Sequence, residues 1–201
     1  MAFGTIHSRY SADEIQDFYA TGQWIEETLP QLLERQMLAQ PDRVFITDGK
    51  KSLTYQELND RSISLAVGLR KLGISAGDVV SVQIPSWVEF TEILVALSRI
   101  GAITLPIMPI YRHDEVGYIL GDAGVKLAIT TDSYRGFDYL DMYRTLLPNN
   151  PKVRGLNLVR PVSATTGSDY TNYEDVFVNT DPESARELIG PGVSADEPFT
   201  I

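Results

Sequence analysis

Arg112 and His113 are the residues of this 201-residue chain whose type and place could do chemistry. They open a helical pattern directly after an apolar, strand-like run, and open α/β sheets take ligands just beyond such strand ends. A lone Arg-His pair is not specific, however, and the plainer reading, a solvated helix start, outweighs the functional one. Ser163-Ala164-Thr165-Thr166-Gly167 carries the hydroxyls and glycine of a phosphate-cradling loop. Ser168 and Asp169 follow it, and a carboxylate has the wrong sign beside a phosphate. His7 and His113 stand far apart without metal-ligand spacing, so no zinc or iron site is expected. The chain contains no Gly-x-Ser-x-Gly elbow, no Walker loop and no Gly-x-Gly-x-x-Gly fingerprint. Tyr55 falls inside a helix-capping turn, where an architectural role explains it. No catalytic, cofactor-binding or metal-ligating residue is assigned.

The element that must organise everything else runs from Val79 to Ile107. Val79 to Ile84 is a short apolar run that Pro85 stops, and Ser86 with Glu89 three residues on spells a capping box. The helix that follows is apolar almost all round, through Trp87, Phe90, Ile93, Leu94, Leu97 and Ile100, and Gly101 can take the left-handed cap that ends it. Ala102 to Ile107 is a second strand. Strand, helix and strand within about 30 residues make a βαβ crossover, which sets two strands parallel and calls for helices on both faces.

Around this unit the remaining pieces fall in order. Ser11 to Ala20 reads as a short helix lying on the outside, and Thr28 caps a helix that Pro41 and Asp42 close. Val44 to Asp48 and Ser52 to Thr54 form a hairpin through Asp48-Gly49. In Leu53-Thr54-Tyr55-Gln56-Glu57-Leu58, Thr54 is placed at the N-cap and Glu57 at the third helical position, while Leu53 and Leu58 make a hydrophobic staple. That helix ends at Gly73. A helix from Arg112 and His113 through Asp122, a strand over Val125 to Thr131, a helix over Phe137 to Leu147 and a strand over Val153 to Val159 complete the alternation of a mainly parallel α/β sheet. Beyond Pro161 the composition turns polar and acidic, with a short helix at Glu183 to Ile189.

Composition narrows the partners. Twenty-seven acidic against seventeen basic residues give a net charge of −10, which repels nucleic acid and anionic membrane surfaces. No apolar run is long enough to span a bilayer, and the opening residues lack a signal-peptide core. Zero cysteines exclude disulfides and thiolate chemistry and suit a cytoplasmic protein.

Taken together, Pro41-Asp42-Arg43, the hexapeptide Leu53 to Leu58, Gly77-Asp78-Val79 and Leu97-Ser98-Arg99-Ile100-Gly101-Ala102 closing on Pro106 resemble the ordered N-terminal motifs of the AMP-dependent synthetase and ligase family. This is the adenylate-forming superfamily of acyl-CoA synthetases, aryl-acid AMP ligases and peptide-synthetase adenylation domains. Gly22-Gln23-Trp24, Thr28-Leu29 and Val82-Gln83-Ile84-Pro85 with Glu89-Phe90 look most similar to ligases for aryl and alicyclic acids. Where those enzymes often carry Leu-Pro-x-His-Arg, this chain has Met108-Pro109-Ile110-Tyr111-Arg112-His113.

The resemblance implies a two-step ligase in which a small carboxylic acid and ATP with Mg give an acyl-adenylate and pyrophosphate. A thiol, usually that of coenzyme A, then displaces AMP. It also implies that the family's phosphate loop and late catalytic lysine follow a segment like Asp196 to Ile201, so the chain reads as an N-terminal portion that binds none of these cofactors itself. Three divisions are expected: residues 1–52 as N-terminal helices and strand, 53–160 as the parallel-sheet core, and 161–201 as an acidic connecting segment. Apolar surface left uncovered would favour a homo-oligomer. The alternative is a catalytically inactive binding or assembly module with the same fold.

Overall fold

The computed structural model describes residues 10–162, 169–190 and 192–201. The Ser163 to Gly167 loop singled out above lies outside the described residues.

In chain order the elements are α1 (Ala12–Ala20), α2 (Leu29–Ala39), β1 (Val44–Thr47), β2 (Ser52–Thr54), α3 (Tyr55–Lys71), β3 (Val79–Gln83), α4 (Val88–Arg99), β4 (Ile103–Pro106) and α5 (His113–Asp122). They continue as β5 (Leu127–Thr130), β6 (Ser133–Tyr134), β7 (Phe137–Asp138), α6 (Tyr139–Leu146), β8 (Leu156–Leu158), β9 (Thr171–Asn172) and α7 (Pro182–Ile189). The main sheet has the order β4-β3-β5-β8-β9 and every pairing in it is parallel. The expected βαβ unit is its centre, with Val79 opposite Ile103 and Val82 opposite Pro106. β3 is the first of these strands in the chain. The next strand is added on one side of it and the third on the other, so the direction of winding reverses across β3 and β5.

The sheet's two faces are buried by different means. Val80, Val82, Leu127 and Ile129 pack on Leu65 and Leu69 of α3 and on Ile93 and Leu97 of α4. Val79, Ala128, Leu156 and Leu158 pack on Val116 and Leu120 of α5 and on Tyr139, Met142 and Tyr143 of α6. A third cluster joins Leu33 of α2 to Leu53, Leu58, Val88 and Val95, seating α2 outside α3 and α4.

The local chemistry explains most starts and stops. Thr54 Oγ1 accepts from Glu57 N at 3.1 Å and Glu57 Oε2 accepts from Thr54 N at 2.8 Å, so the capping box at α3 forms as expected. Thr28 and Ser11 cap α2 and α1 in the same way. The β1-β2 hairpin turns through Gly49 at φ 83°, a conformation glycine adopts without strain.

Three boundaries differ from expectation. Ser86 does not cap α4: Trp87 holds the cap position without a side-chain bond, and Asp48 Oδ2, from the distant hairpin, accepts from Val88 N at 3.3 Å. Glu89 has turned from the helix start to the half-buried cations Arg160 and Lys51. Phe137 is not helical, because Phe137 and Asp138 pair with Tyr134 and Ser133 and Asp138 then caps α6. The strand expected from Val153 begins at Leu156, after Val153 N bonds back to Asn150 O at 3.0 Å.

Residues 169–190 do not hang away from the sheet. Tyr173 and Val176, in a 3-10 turn after β9, and Ala185 of α7 are buried. The segment lies along α3, where Val178 N donates to Ser64 O at 3.2 Å, Ser64 Oγ to Val178 O at 2.9 Å and Arg70 Nη2 to Ile189 O at 2.8 Å. Gly68 makes this approach possible, since a Cβ there would stand 1.7 Å from Val176 O.

Candidate functional site

Ligands of wound α/β sheets bind outside the carboxyl ends of the strands, near the reversal of winding. Here that end carries a groove of about 310 Å³ beyond β3 and β4, with Ile46, Pro85, Trp87, Phe90, Pro106 and Met108 among its walls. Ser86 and Thr91 bring the only side-chain hydroxyls, and no charged side chain lines it.

Behind the groove lies a buried ionic network that local patterning does not announce. Glu92 of α4 is fully buried and accepts from Lys51 Nζ at 2.9 Å, Arg61 Nε at 2.6 Å and Tyr173 OH at 2.8 Å. One turn earlier, Glu89 accepts from Arg160 Nε at 3.0 Å, and Arg160 Nη2 also donates to Asp48 Oδ2 at 2.6 Å. Arg160 lies 4.9 Å from the centroid of the Trp87 ring, tying the network to the groove wall. Arg61 also reaches Glu174 at 3.0 Å. Four carboxylates, Asp48, Glu89, Glu92 and the exposed Glu174, meet three cations, Lys51, Arg61 and Arg160, so the cluster carries a formal charge of −1.

Burial opposes the charge on Glu92, but the hydrogen bonds from Arg61 and Lys51 overcome it and its carboxyl titrates below the ordinary range. For Asp48, burial is likewise outweighed by the backbone amides of Lys51 and Lys50 and by Arg160, and its carboxyl is held far below normal. Tyr173 is pushed up, first by burial and then by Glu92 beside it.

The sequence-level candidates resolve differently. Arg112 Nη1 donates to the carbonyls of Pro109 at 2.7 Å and Tyr111 at 2.9 Å, and its guanidinium lies 4.0 Å from the Phe137 ring centroid. It fastens the loop after β4 to the β6-β7 hairpin. His113 is exposed at the start of α5, its ring edge-on to Phe137. Tyr55 packs on Phe45 and partly joins the third cluster, as an architectural residue should. Sequence reading missed the network; its one visible signal was a pair of acids three residues apart, Glu89 and Glu92, on an otherwise apolar helix.

These donors do not fit the Mg and nucleotide phosphates the resemblance implies. The buried carboxylates are each matched by a cation inside the protein, and Lys51, Arg61 and Arg160 are engaged with those same acids. Among the described residues no group of three or more His, Cys, Asp or Glu could hold a metal ion. No helix among them is long and apolar enough to cross a membrane.

The family of AMP-binding enzymes matches residues 33–198. The chain is 36% identical over 145 residues to the 2,3-dihydroxybenzoate-AMP ligase of Bacillus subtilis, an alignment covering 72% of this chain and 27% of that protein. Against the salicyl-AMP ligase / salicyl-S-ArCP synthetase of Mycobacterium tuberculosis it is 33% identical over 150 residues, covering 72% of this chain and 26% of the relative. In three dimensions it resembles the apo structure of Mycobacterium smegmatis MbtA with a TM-score of 0.73 and 25% identity, over 88% of this chain and 33% of that one. The chain therefore spans about a quarter of the length of the curated relatives it matches. From its motifs, its parallel sheet and these likenesses, the chain belongs to the AMP-binding enzyme family and represents an N-terminal portion of the adenylate-forming fold.

Proposed function

We propose that this chain is the N-terminal α/β layer of an ATP-dependent carboxylic acid ligase, acting on a small aryl or alicyclic acid in the cytoplasm. The reaction joins the carboxylate to the α-phosphate of ATP, releasing pyrophosphate, and a thiol then takes the acyl group and releases AMP. Coenzyme A is the proposed thiol. The match to the AMP-binding enzymes over residues 33–198 carries this reading, and the aryl-acid names of the relatives support the ring-acid class.

Within that reaction the chain's own residues act as scaffold. The Asp48, Glu89 and Glu92 network fixes the loop from Pro85 to Trp87 against α3 and α4, and the groove beside it offers largely apolar, uncharged walls. Charge building on a transferring phosphoryl group needs free cations or aligned backbone amides. The half-buried cations of the network are committed to carboxylates, so the 201-residue chain alone is proposed to lack adenylating activity.

ATP–pyrophosphate exchange with a panel of aryl, alicyclic and fatty acids tests both parts. No acid-dependent exchange is expected from the purified chain. Exchange should appear with ring acids for a natural protein that carries this chain together with the remainder of the family fold. Exchange that co-elutes with the 201-residue species would overturn the scaffold reading, and exchange by the longer protein with fatty acids alone would overturn the ring-acid class.

A further inference from the structure

Gln83 is the last residue of β3, at the reversal of winding, and Thr130 Oγ1 of the neighbouring β5 donates to its carbonyl at 3.0 Å. By the two-residue period of the strand its side chain shares the face of Val79, which packs on α5 and α6. An apolar residue would suit that face. The amide of Gln83 is instead fully buried there, with Nε2 donating to Met108 O at 3.1 Å and Tyr111 O at 3.2 Å while Oε1 has no donor. Two carbonyl partners settle which way the amide faces. Burying an acceptor without a partner is unfavourable, so the residue is explained by what its nitrogen holds.

It holds the loop after β4. Tyr139 OH of α6 donates to Pro109 O at 2.5 Å, and Arg112 Nη1, at the start of α5, donates to Pro109 O at 2.7 Å and Tyr111 O at 2.9 Å. Within the loop, Tyr111 N donates to Met108 O at 3.0 Å. Five side-chain hydrogen bonds from three elements thus converge on the carbonyls of Met108, Pro109 and Tyr111. Water could satisfy carbonyls at the rim of a sheet without fixing them in place. Side-chain donors from packed elements set the backbone in one arrangement, and Met108 and Pro109 of this loop line the groove. A wall ordered in advance spares a ligand the entropy of ordering it.

We propose that Gln83 is a positioning residue: through the Met108–Tyr111 loop it sets the groove wall against which the uncharged part of a substrate lies. The inference rests on the ligase reading above. The ring of the acid and the uncharged arm of the thiol share the chemistry that a wall without charged side chains admits. The phosphates of ATP would find no cation there.

Gln83→Leu keeps the bulk and removes both donated hydrogens. In the 201-residue chain, hydrogen exchange at the Tyr111 amide should quicken about tenfold, while the Lys126 amide, which donates to Val79 O at the other end of β3, keeps its rate. Tyr139→Phe leaves the ring in the core and should quicken Tyr111 about threefold. The control is Tyr143→Phe, in the same helix, which removes a buried hydroxyl without a hydrogen-bond partner and should quicken neither amide. In a natural protein that carries this chain with the remainder of the family fold, Gln83→Leu should raise KM for the acid or for the thiol about tenfold, with kcat and the KM for ATP changed by less than about twofold. A rise for the acid places its ring on the loop, and a rise for the thiol places its arm there. A fall in kcat with every KM unchanged, a rise that includes ATP, or kinetics no different from those of Tyr143→Phe would overturn the proposal. The hydrogen-exchange arm needs no activity and so stands apart from the ligase reading. An unchanged Tyr111 rate in Gln83→Leu, or an equal rise at Tyr111 and Lys126, would overturn the role of Gln83 even in a fully active ligase.

Discussion

The β3–α4–β4 unit and the segment from Asp169 to Gly190 are both buried against α3, yet they are held in opposite ways. The first is joined by neighbouring backbone and by side chains from one continuous apolar run. The second joins the sheet only through the two-residue strand β9 beside β8, and its remainder reaches partners more than eighty residues away through single groups: Tyr173 on Glu92, Glu174 on Arg61, Val178 on Ser64, Val176 over Gly68. Truncating one member of an apolar run costs packing energy but leaves its neighbours holding the element in place. A segment held by single contacts has no such neighbours, so substitutions should separate the two regions.

Gly68→Val should be the most damaging, at about 4 kcal/mol, because a Cβ would overlap the carbonyl of Val176 and neither backbone can yield cheaply. Gly68→Ala should also destabilise, although alanine favours a helix over glycine by about 1 kcal/mol. Gly117 in α5 makes the contrast, since a Cβ there meets only the end of Leu146 at 3.1 Å and Gly117→Ala should be close to neutral. Denaturant melts of the three variants decide whether the segment is pressed onto α3 as described.

Glu92→Gln should cost about 3 kcal/mol, because it leaves Lys51 and Arg61 beside an uncharged, fully buried group. The loss should depend on pH. The folded-state pKa of Glu92 lies below its unfolded value, so its stabilisation is full above the ordinary carboxylate range and is lost as pH falls through that range toward the folded pKa. The difference in Tm between the parent and Glu92→Gln should therefore shrink between about pH 6 and about pH 3. A constant difference would mean that Glu92 acts through shape and not charge. Tyr173→Phe removes one donor to the same carboxylate and should cost about 1.5 kcal/mol. Thr54→Ala, at the α3 cap remote from this segment, should cost about 1 kcal/mol and leave the segment's contacts intact.

The same contrast explains what could be read from the sequence. Strand, stop and helix start are local signals, and the pattern from Val79 to Ile107 placed β3, α4 and β4 and made their pairing parallel. Thr54 with Glu57 was legible for the same reason, since both partners sit in one turn. Ser86 and Glu89 offered the same short-range pattern, but Arg160 and Lys51 give a buried carboxylate more than a helix start does. Nothing near Tyr173 names Glu92 as its partner, and a polar, acidic stretch with few apolar residues looks like a connector until Gly68 is seen to admit it. Arg112 was found as a helix start, while its stacking on Phe137 depended on a hairpin the periodicity had read as helix.

Hydrogen exchange at the Val178 amide tests most directly whether this distant segment belongs to the same cooperative unit as the sheet. The account predicts protection comparable to that of the β3 amides, with Tyr173→Phe lowering both by a similar factor. Exchange of Val178 at the rate of an open peptide while β3 stays protected would contradict it, and would make residues 169–190 an appendage to the fold.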